Sequence, residues 1–552
     1  MNEEVPNSQR NLLIFLVACA VIFAVGQQFV PAPVPPPKPA VMAEGSGAPA
    51  AVVPPSMEPA APAAAAAAPV VLTTPQRMET AHADYTFSNE GGRLTSIRIK
   101  KPEQWASDSQ EIGVFPSTQQ KTLSEAVLVP AIPELKADSV YELVNSLSQS
   151  RGEVYDRLVY RWTSADGRWQ VLKKFEPDTR AFGLKLEVEV VNRTGTEQKL
   201  ASVNVQVSGS AGEGGQSIMG SDAAVVEGLC VGAESTERKA AKGLDEAIGV
   251  SGKVTFGGLD EQYFLHSVAA TTESGSAAEL SGCSFGPTVG GKVTSTVSSA
   301  ALTVASNSSV RTHFSVYTGP KSEQYLSAYP HGLKAAINLG WFSFLAVPIR
   351  WTLVLFHGWV HNWGVAIILL TIAIKLLLYA PTAKSMRSME KLREIQPKIA
   401  ELQKQYANDQ MKLAEEQMKL FKEAGTSPFG GCLPTLLQMP IYIALYRTVW
   451  GSAELYRADF ALWITDLSKR DPYFVLPVVM GLMMFAQARV TPQTVDNPQM
   501  KAMQNIMPIL FTAMMLFLPS GLVLYIVVNT LLSVGQQLLI KRQMTIEKTS
   551  LA

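Results

Sequence analysis

Chemistry-bearing residues are scarce in this 552-residue chain. Only four cysteines and six histidines occur. Cys19, Cys230, Cys283 and Cys432 form no CxxC pair and no Cys/His cluster, so no metal site is expected. No HExxH or GxSxG pattern occurs either, and the chain is not expected to be an enzyme. Net charge is missing too. Forty-seven basic residues balance 47 acidic ones, so the whole chain has no overall pull toward nucleic acid. Gly286 to Val293, GPTVGGKV, comes close to the phosphate loop GxxxxGK[ST]. Val293 stands where a hydroxyl must bind magnesium, and KVTSTV continues as a strand rather than a helix. A hairpin turn is expected there. No nucleotide or other cofactor is implied.

What is present is apolar and unevenly spread: 47% of residues are hydrophobic and mean hydropathy is +0.11. Residues 11–30, NLLIFLVACAVIFAVGQQFV, are long enough to cross a bilayer. Leu16-Val17-Ala18-Cys19 resembles a lipoprotein processing site, but apolar sequence continues beyond Cys19 and the preceding stretch is hardly basic. An uncleaved anchor over 1–30 is the reading. Residues 31–77 are dominated by Pro and Ala and have little to bury, which predicts a semi-extended tether.

Residues 78–320 read as a soluble β domain. Leu184, Leu186, Val188 and Val190 alternate with Lys185, Glu187 and Glu189, and Val203, Val205 and Val207 alternate with Asn204 and Gln206. Period two over such lengths gives strands with one buried face. Gly-rich breaks separate them, and an antiparallel sandwich follows. Cys230 and Cys283 either pair, if the domain lies in an oxidising compartment, or stand as two buried free thiols.

From residue 341 the chain is built for lipid. In the region 321–362, WFSFLAVPIRWTLVLFHGWV is interrupted by Pro348, Arg350 and His357, which favours a helix lying in the interface over a span. Five spans are expected after it: 363–380, 430–449, 473–489, 504–518 and 520–539, the last four within 429–540. The connecting segment 381–428 carries nine Lys/Arg, and Lys541, Arg542 and Lys548 lie in the tail 541–552. The positive-inside rule puts both in the cytoplasm. Six spans with both termini inside then leave the β domain on the other side of the membrane.

The segment 384–424 reads as a charged helical hairpin. One stripe is Met386, Met389, Leu392, Ile395, Ile399 and Leu402; the other is Met411, Leu413, Met418 and Leu420. Ala407-Asn408-Asp409 breaks it, and Pro397 is expected to interrupt the first helix. Its faces suit self-packing and equally suit contact with a ribosome, a targeting factor or an emerging peptide.

The spans carry Thr371, Lys375, Gln438, Asn505, Tyr525, Asn529 and Gln536. Hydroxyls and amides commonly join membrane helices. Lys375 differs, because a lysine at a helix centre costs about 2.5–3.5 kcal/mol on insertion scales. No acidic residue lies in any expected span to pair with it. Either it faces a water-filled recess, or it snorkels from about 9 Å depth.

Asn362-Trp363-Gly364, TIAIKLLLYAPT, IQPKI, PFGGCLPTLLQMPIYIALY, FALWITDLS, DPYFVLPVVMG and LPSGLVLY together resemble the YidC/Oxa/Alb family of membrane-protein insertases over about 341–540. The exported domain and N-terminal anchor resemble its Gram-negative bacterial form. The resemblance implies an α-helical polytopic protein of the bacterial inner membrane with six transmembrane helices. A five-helix core would surround a hydrophilic groove, and a large all-β sandwich would lie in the periplasm. It implies Lys375 where relatives carry arginine, which keeps the charge but loses the five-donor fork. Thr371 and Tyr525 fall on groove positions, and Ile526 replaces a second tyrosine. Gln438 and Asn529 complete the expected groove, with Met411, Met418 and Leu420 as cytoplasmic contacts. Implied partners are nascent membrane proteins, the lipid bilayer, the Sec translocon, the ribosome and targeting factors. A channel or secondary transporter is the rival class, but no internal repeat or coupled midplane ionisable pair is visible. A folding chaperone beside the Sec translocon is compatible with insertion.

Overall fold

The computed structural model describes residues 74–100, 125–210, 226–241, 244–271, 279–288, 292–406, 409–425, 433–490 and 498–551. The expected anchor at 11–30, most of the tether, and PFGGC lie outside these residues.

The β domain runs from the strand Gln76–Glu79 to Ser308–Pro320. Alternation in the sequence becomes alternation in burial. In Gly183–Asn192, Leu184, Leu186, Val188 and Val190 are buried while Lys185, Glu187 and Glu189 are half-buried. That strand pairs antiparallel with Trp169–Pro177 on one side (Phe175 opposite Leu186) and Ser308–Pro320 on the other (Phe314 opposite Leu186). The ladder continues antiparallel through Phe264–Ala270 and Ile248–Asp260 to Leu280–Thr288 and Lys292–Ser299. A single parallel bridge, Arg77 with Val154, occurs among the described pairings. Burying the inner faces removes most of the apolar area from water, the main stabilising term. The strands flanking the phosphate-loop look-alike pair antiparallel, with Thr288 opposite Lys292, while 289–291 lie outside the described residues.

Cys230 and Cys283 form a disulfide with Cα atoms 5.6 Å apart, closing a sequence separation of 53. Gly257 lies directly against this bridge; a Cβ there would collide with Cys283 Sγ. A polar cluster lies deeper. Glu125 accepts from or shares a proton with His266 Nε2 at 2.7 Å, and Lys173 Nζ donates to the carbonyls of Gly91 (3.0 Å) and Glu125 (2.5 Å). Burial pushes the Lys173 ammonium down to about 7, against the opposing pull of Glu125.

The helical part comprises α1 (Ser343–Val360), α2 (Trp363–Leu377), α3 (Tyr379–Gln405), α4 (Gln410–Glu423), α5 (Leu433–Gly451), α6 (Val475–Val490), α7 (Pro498–Met515) and α8 (Ser520–Leu551). By length and composition, α1 and residues 520–546 of α8 can cross a membrane. The pair α2–α3, bent by 65°, is a third candidate, while α6 and α7 include shorter apolar segments. The helix expected to lie in the interface, α1, is therefore itself long and apolar enough to span. It presents Phe344, Trp351 and Trp359 outward and packs inward through Ala346, Ile349 and Leu353.

Two details of the segment 381–428 and the tail differ from expectation. First, α3 passes through Pro397 without ending. Pro397 removes the hydrogen bond to the Arg393 carbonyl, but both residues face solvent and Leu392 and Ile399 stay buried beside them. Second, the tail 541–552 is not a separate element up to Leu551 but the continuation of α8. Ile540 and Met544 pack on Met386 and Met389 of α3, and this apolar seam carries the helix on past the expected span. Between α3 and α4, Tyr406 closes one helix and Asp409 caps the next by accepting from Lys412 N.

Candidate functional site

The helix ends fix the site before any polar group is considered. Asn362 caps α2 by accepting from Val365 N at 3.0 Å, and its amide donates to Phe460 O at 2.9 Å. Trp363 is buried and stacks on His357, ring centroids 3.9 Å apart. Gly364 is there because Phe460 needs the space; a Cβ would run into its ring. The motif Asn-Trp-Gly thus locks α2 to α1 and to the segment following α5.

That segment, 452–474, is a folded plug rather than a loose loop. Ala453, Glu454, Leu455, Ala458, Ile464 and Leu467 are buried in it. Leu467 N donates to Ala458 O at 2.8 Å, and Asp466 Oδ1 accepts from the amides of Arg457 and Ser468. Ser520 N and Gly521 N, at the start of α8, donate to the carbonyls of Lys469 and Leu467. Asp471 accepts from Trp463 Nε1 and from Leu476 N, which satisfies an orphan amide at the start of α6. The starts of α2 and α8 and the end of α5 therefore converge on the plug.

The β domain grips the same place. Gln262 Nε2 donates to Trp450 O at 3.1 Å, and the rings of Tyr263 and Phe264 lie 4.8 and 5.5 Å from that of Tyr456. Asp260 pairs with Lys321 at 2.6 Å and with Arg238, which donates to Ala336 O at 2.9 Å. Beside it, burial first and then the Asp260 charge push the Glu261 carboxyl up to about 8.

Away from the plug, a polar seam runs down α8. Tyr525, Asn529, Ser533 and Gln536 recur at helical spacing on one face. Gln438 of α5 donates to the Tyr525 hydroxyl at 2.5 Å, and Asn529 Nδ2 donates to the Tyr442 hydroxyl at 2.8 Å. The two phenol rings meet edge to face at 5.7 Å. Lys375 Nζ donates to Ser533 Oγ at 2.7 Å, and Ser533 passes its own proton to Asn529 O at 2.8 Å. Gln536 donates to Thr382 Oγ1 at 3.0 Å. Asn529 Oδ1 is buried with no hydrogen-bond partner among the described residues.

Lys375, Gln438, Tyr525 and Asn529 are thus brought together. Lys375 remains half-buried, and no carboxylate pairs with it among the described residues. Thr371 is different: it is fully buried and turns its hydroxyl back to Ile367 O at 2.7 Å, within its own helix. Asn505 is among residues whose side chains are not described. The sequence reading missed Ser533, Tyr442 and Thr382. The first two were within reach: Ser533 follows Asn529 by one helical turn, and Tyr442 follows Gln438 by one. On α4, Met411 and Met418 are exposed and Leu420 is half-buried.

Two family models cover the described chain. "YidC periplasmic domain" matches residues 76–352, and "60Kd inner membrane protein" matches 355–548. The membrane protein insertase YidC of Anaeromyxobacter sp. (strain Fw109-5) is 34% identical over 470 residues, covering 83% of each chain. That of Geobacter sulfurreducens is 30% identical over 469 residues, covering 85% of this chain and 86% of the relative. A crystal structure of an active YidC insertase with its first transmembrane domain resolved aligns over 85% of this chain and 94% of its own, at 19% identity and a TM-score of 0.36. With one model spanning half the chain and relatives matched nearly end to end, the chain belongs to the YidC family of membrane protein insertases.

Proposed function

We propose that this protein inserts integral membrane proteins into the inner membrane and assists their folding, using the polar seam between α2, α5 and α8 as the substrate groove. The observation that carries the reading is the half-buried Lys375 ammonium, held by a neutral hydroxyl rather than by a carboxylate. An ammonium so placed keeps its net charge available. It attracts acidic residues in the outward-going part of a substrate and favours water around them. The substrate's apolar segment then leaves the groove for lipid, and its burial drives the step.

In this reading the plug closes the outer end and the α3–α4 hairpin stands at the cytoplasmic mouth. Six spans place both termini in the cytoplasm and the β domain in the periplasm, following the positive residues of α3, α4 and the end of α8. The Sec translocon, the ribosome and targeting factors act as partners on substrates with longer translocated parts. The protein purified alone and reconstituted in liposomes should insert a short single-span substrate. Insertion that requires an added translocon for every short substrate would overturn the autonomous reading.

A further inference from the structure

Arg350 lies on α1, a largely apolar helix, and is 7% exposed. Its Nη2 donates to Glu454 Oε1 at 2.6 Å, and Glu454, 8% exposed, sits in the short turn Ala453–Leu455 of the plug. The second carboxylate oxygen of Glu454 is buried with no hydrogen-bond partner among the described residues. Arg350 Nη1 also lies 3.9 Å from Glu323 Oε2, on the connector leaving the β domain, and Glu323 is shared with Lys334 at 3.1 Å. One guanidinium therefore joins three pieces of chain: α1, the plug and the connector.

We infer that Arg350 is the latch of the outer plug, a positioning residue that holds the groove closed on the extracytoplasmic side. The physical reason is asymmetric. A buried ion pair adds little over two apolar side chains, but removing one partner strands the other charge in a dry site. Without Arg350, the Glu454 carboxylate regains hydration only by moving outward, and the plug moves with it. The plug in turn carries the amide acceptors for Ser520 and Gly521 and the ring that fits Gly364, so its displacement uncovers the outer ends of α2 and α8. Among the described residues no hydrogen bond or ion pair joins Arg350 to the seam. Its effect on insertion runs through closure alone.

The inference rests on the reading of the seam as a groove, and its test uses no substrate, so its failure is separable from a failure to insert. Val523, fully buried one turn inside the plug, is replaced by cysteine (Val523→Cys) in a chain with Cys19→Ser and Cys432→Ser and with the Cys230–Cys283 bridge kept. A membrane-impermeant sulfonated maleimide is added to spheroplasts from outside. In Arg350→Leu, labelling should rise by roughly tenfold or more over the parent, because breaking a buried pair weakens the closed state far more than losing a surface pair. Arg350→Lys, which keeps the charge, should stay close to the parent rate. Parent-rate labelling of a folded Arg350→Leu protein overturns the latch. If that variant does not accumulate, Glu454→Gln decides by the same criterion: faster labelling supports the latch, and an unchanged rate overturns it.

Discussion

Lys375 and Ser533 meet at the same depth on two parallel helices. Lys375 stands thirteen residues beyond Asn362, the cap of α2, and Ser533 thirteen beyond Ser520, the first residue of α8, or about 20 Å along the axis. The 2.7 Å hydrogen bond between them therefore lies far from the plug, towards the α3–α4 hairpin. On the proposed topology, such a charge is reached from the cytoplasm but shut off from the other side, and is suited to receive a substrate segment before it crosses.

The fit of Phe460 against Gly364 predicts a sharp steric response. Gly364→Ala should destabilise the membrane part by about 1–3 kcal/mol, the usual cost of overpacking. A lower melting temperature in detergent checks this, and Phe460→Ala added to Gly364→Ala should recover part of the loss. An unchanged melting temperature for Gly364→Ala would show that the ring has room.

The Cys230–Cys283 bridge settles which of two readings of these cysteines holds. Because it closes 53 residues, its loss should cost about 2–5 kcal/mol of β-domain stability. Unfolding of the full-length protein with and without reductant measures this. Free reaction of both thiols with maleimide in denatured, unreduced protein would contradict the bridge.

Two buried groups give stability opposite pH slopes. Lys173 binds its proton up to about 7 when folded, against an ordinary 10.5. Between those values the unfolded chain holds the extra proton, so stability rises with pH. Glu261 keeps its proton up to about 8 when folded, against 4.5. Between those values the folded chain holds the extra proton, so stability falls as pH rises. In melting curves taken across this range, Glu261→Gln should flatten the acid-side limb and Lys173→Met the alkaline-side limb. A Lys173→Met curve that keeps the parent's alkaline rise would remove Lys173 as its source.

The proposed function has α4 meet substrates first. Whereas α3 is fastened to α8 through Met386, Met389, Ile540 and Met544, α4 leaves Met411 and Met418 exposed. Photo-crosslinkers at Met411, Met418 and Leu420 should capture nascent chains at shorter lengths than a crosslinker at Gln438. Earlier capture at Gln438 would make the groove the first contact.

What could be read from the sequence was what local pattern encodes. Strand Gly183–Asn192 buries the four apolar residues its alternation singled out, because a pleat sorts neighbours by face without help from distant chain. Lys375, Gln438, Tyr525 and Asn529 stood out as polar residues in apolar helices, and they converge. Thr371 stood out equally but satisfies its hydroxyl within its own helix, a choice that residue type does not reveal. Arg350 read only as an interruption of α1, since its partner Glu454 lies 104 residues away. Gln262, Tyr263 and Phe264 bind the β domain to the plug, through contacts that no periodicity announces.

The central claim is that the positive charge of Lys375 attracts the acidic, outward-going part of a substrate. Its most direct measurement is insertion into liposomes by the parent, Lys375→Arg and Lys375→Ala proteins. Two substrates that differ only in having acidic or neutral translocated segments are compared. The account predicts that Lys375→Arg supports both, while Lys375→Ala loses the acidic substrate by roughly tenfold and the neutral one far less, a difference of about 1.4 kcal/mol. Equal insertion of the two substrates by a folded Lys375→Ala protein would contradict it.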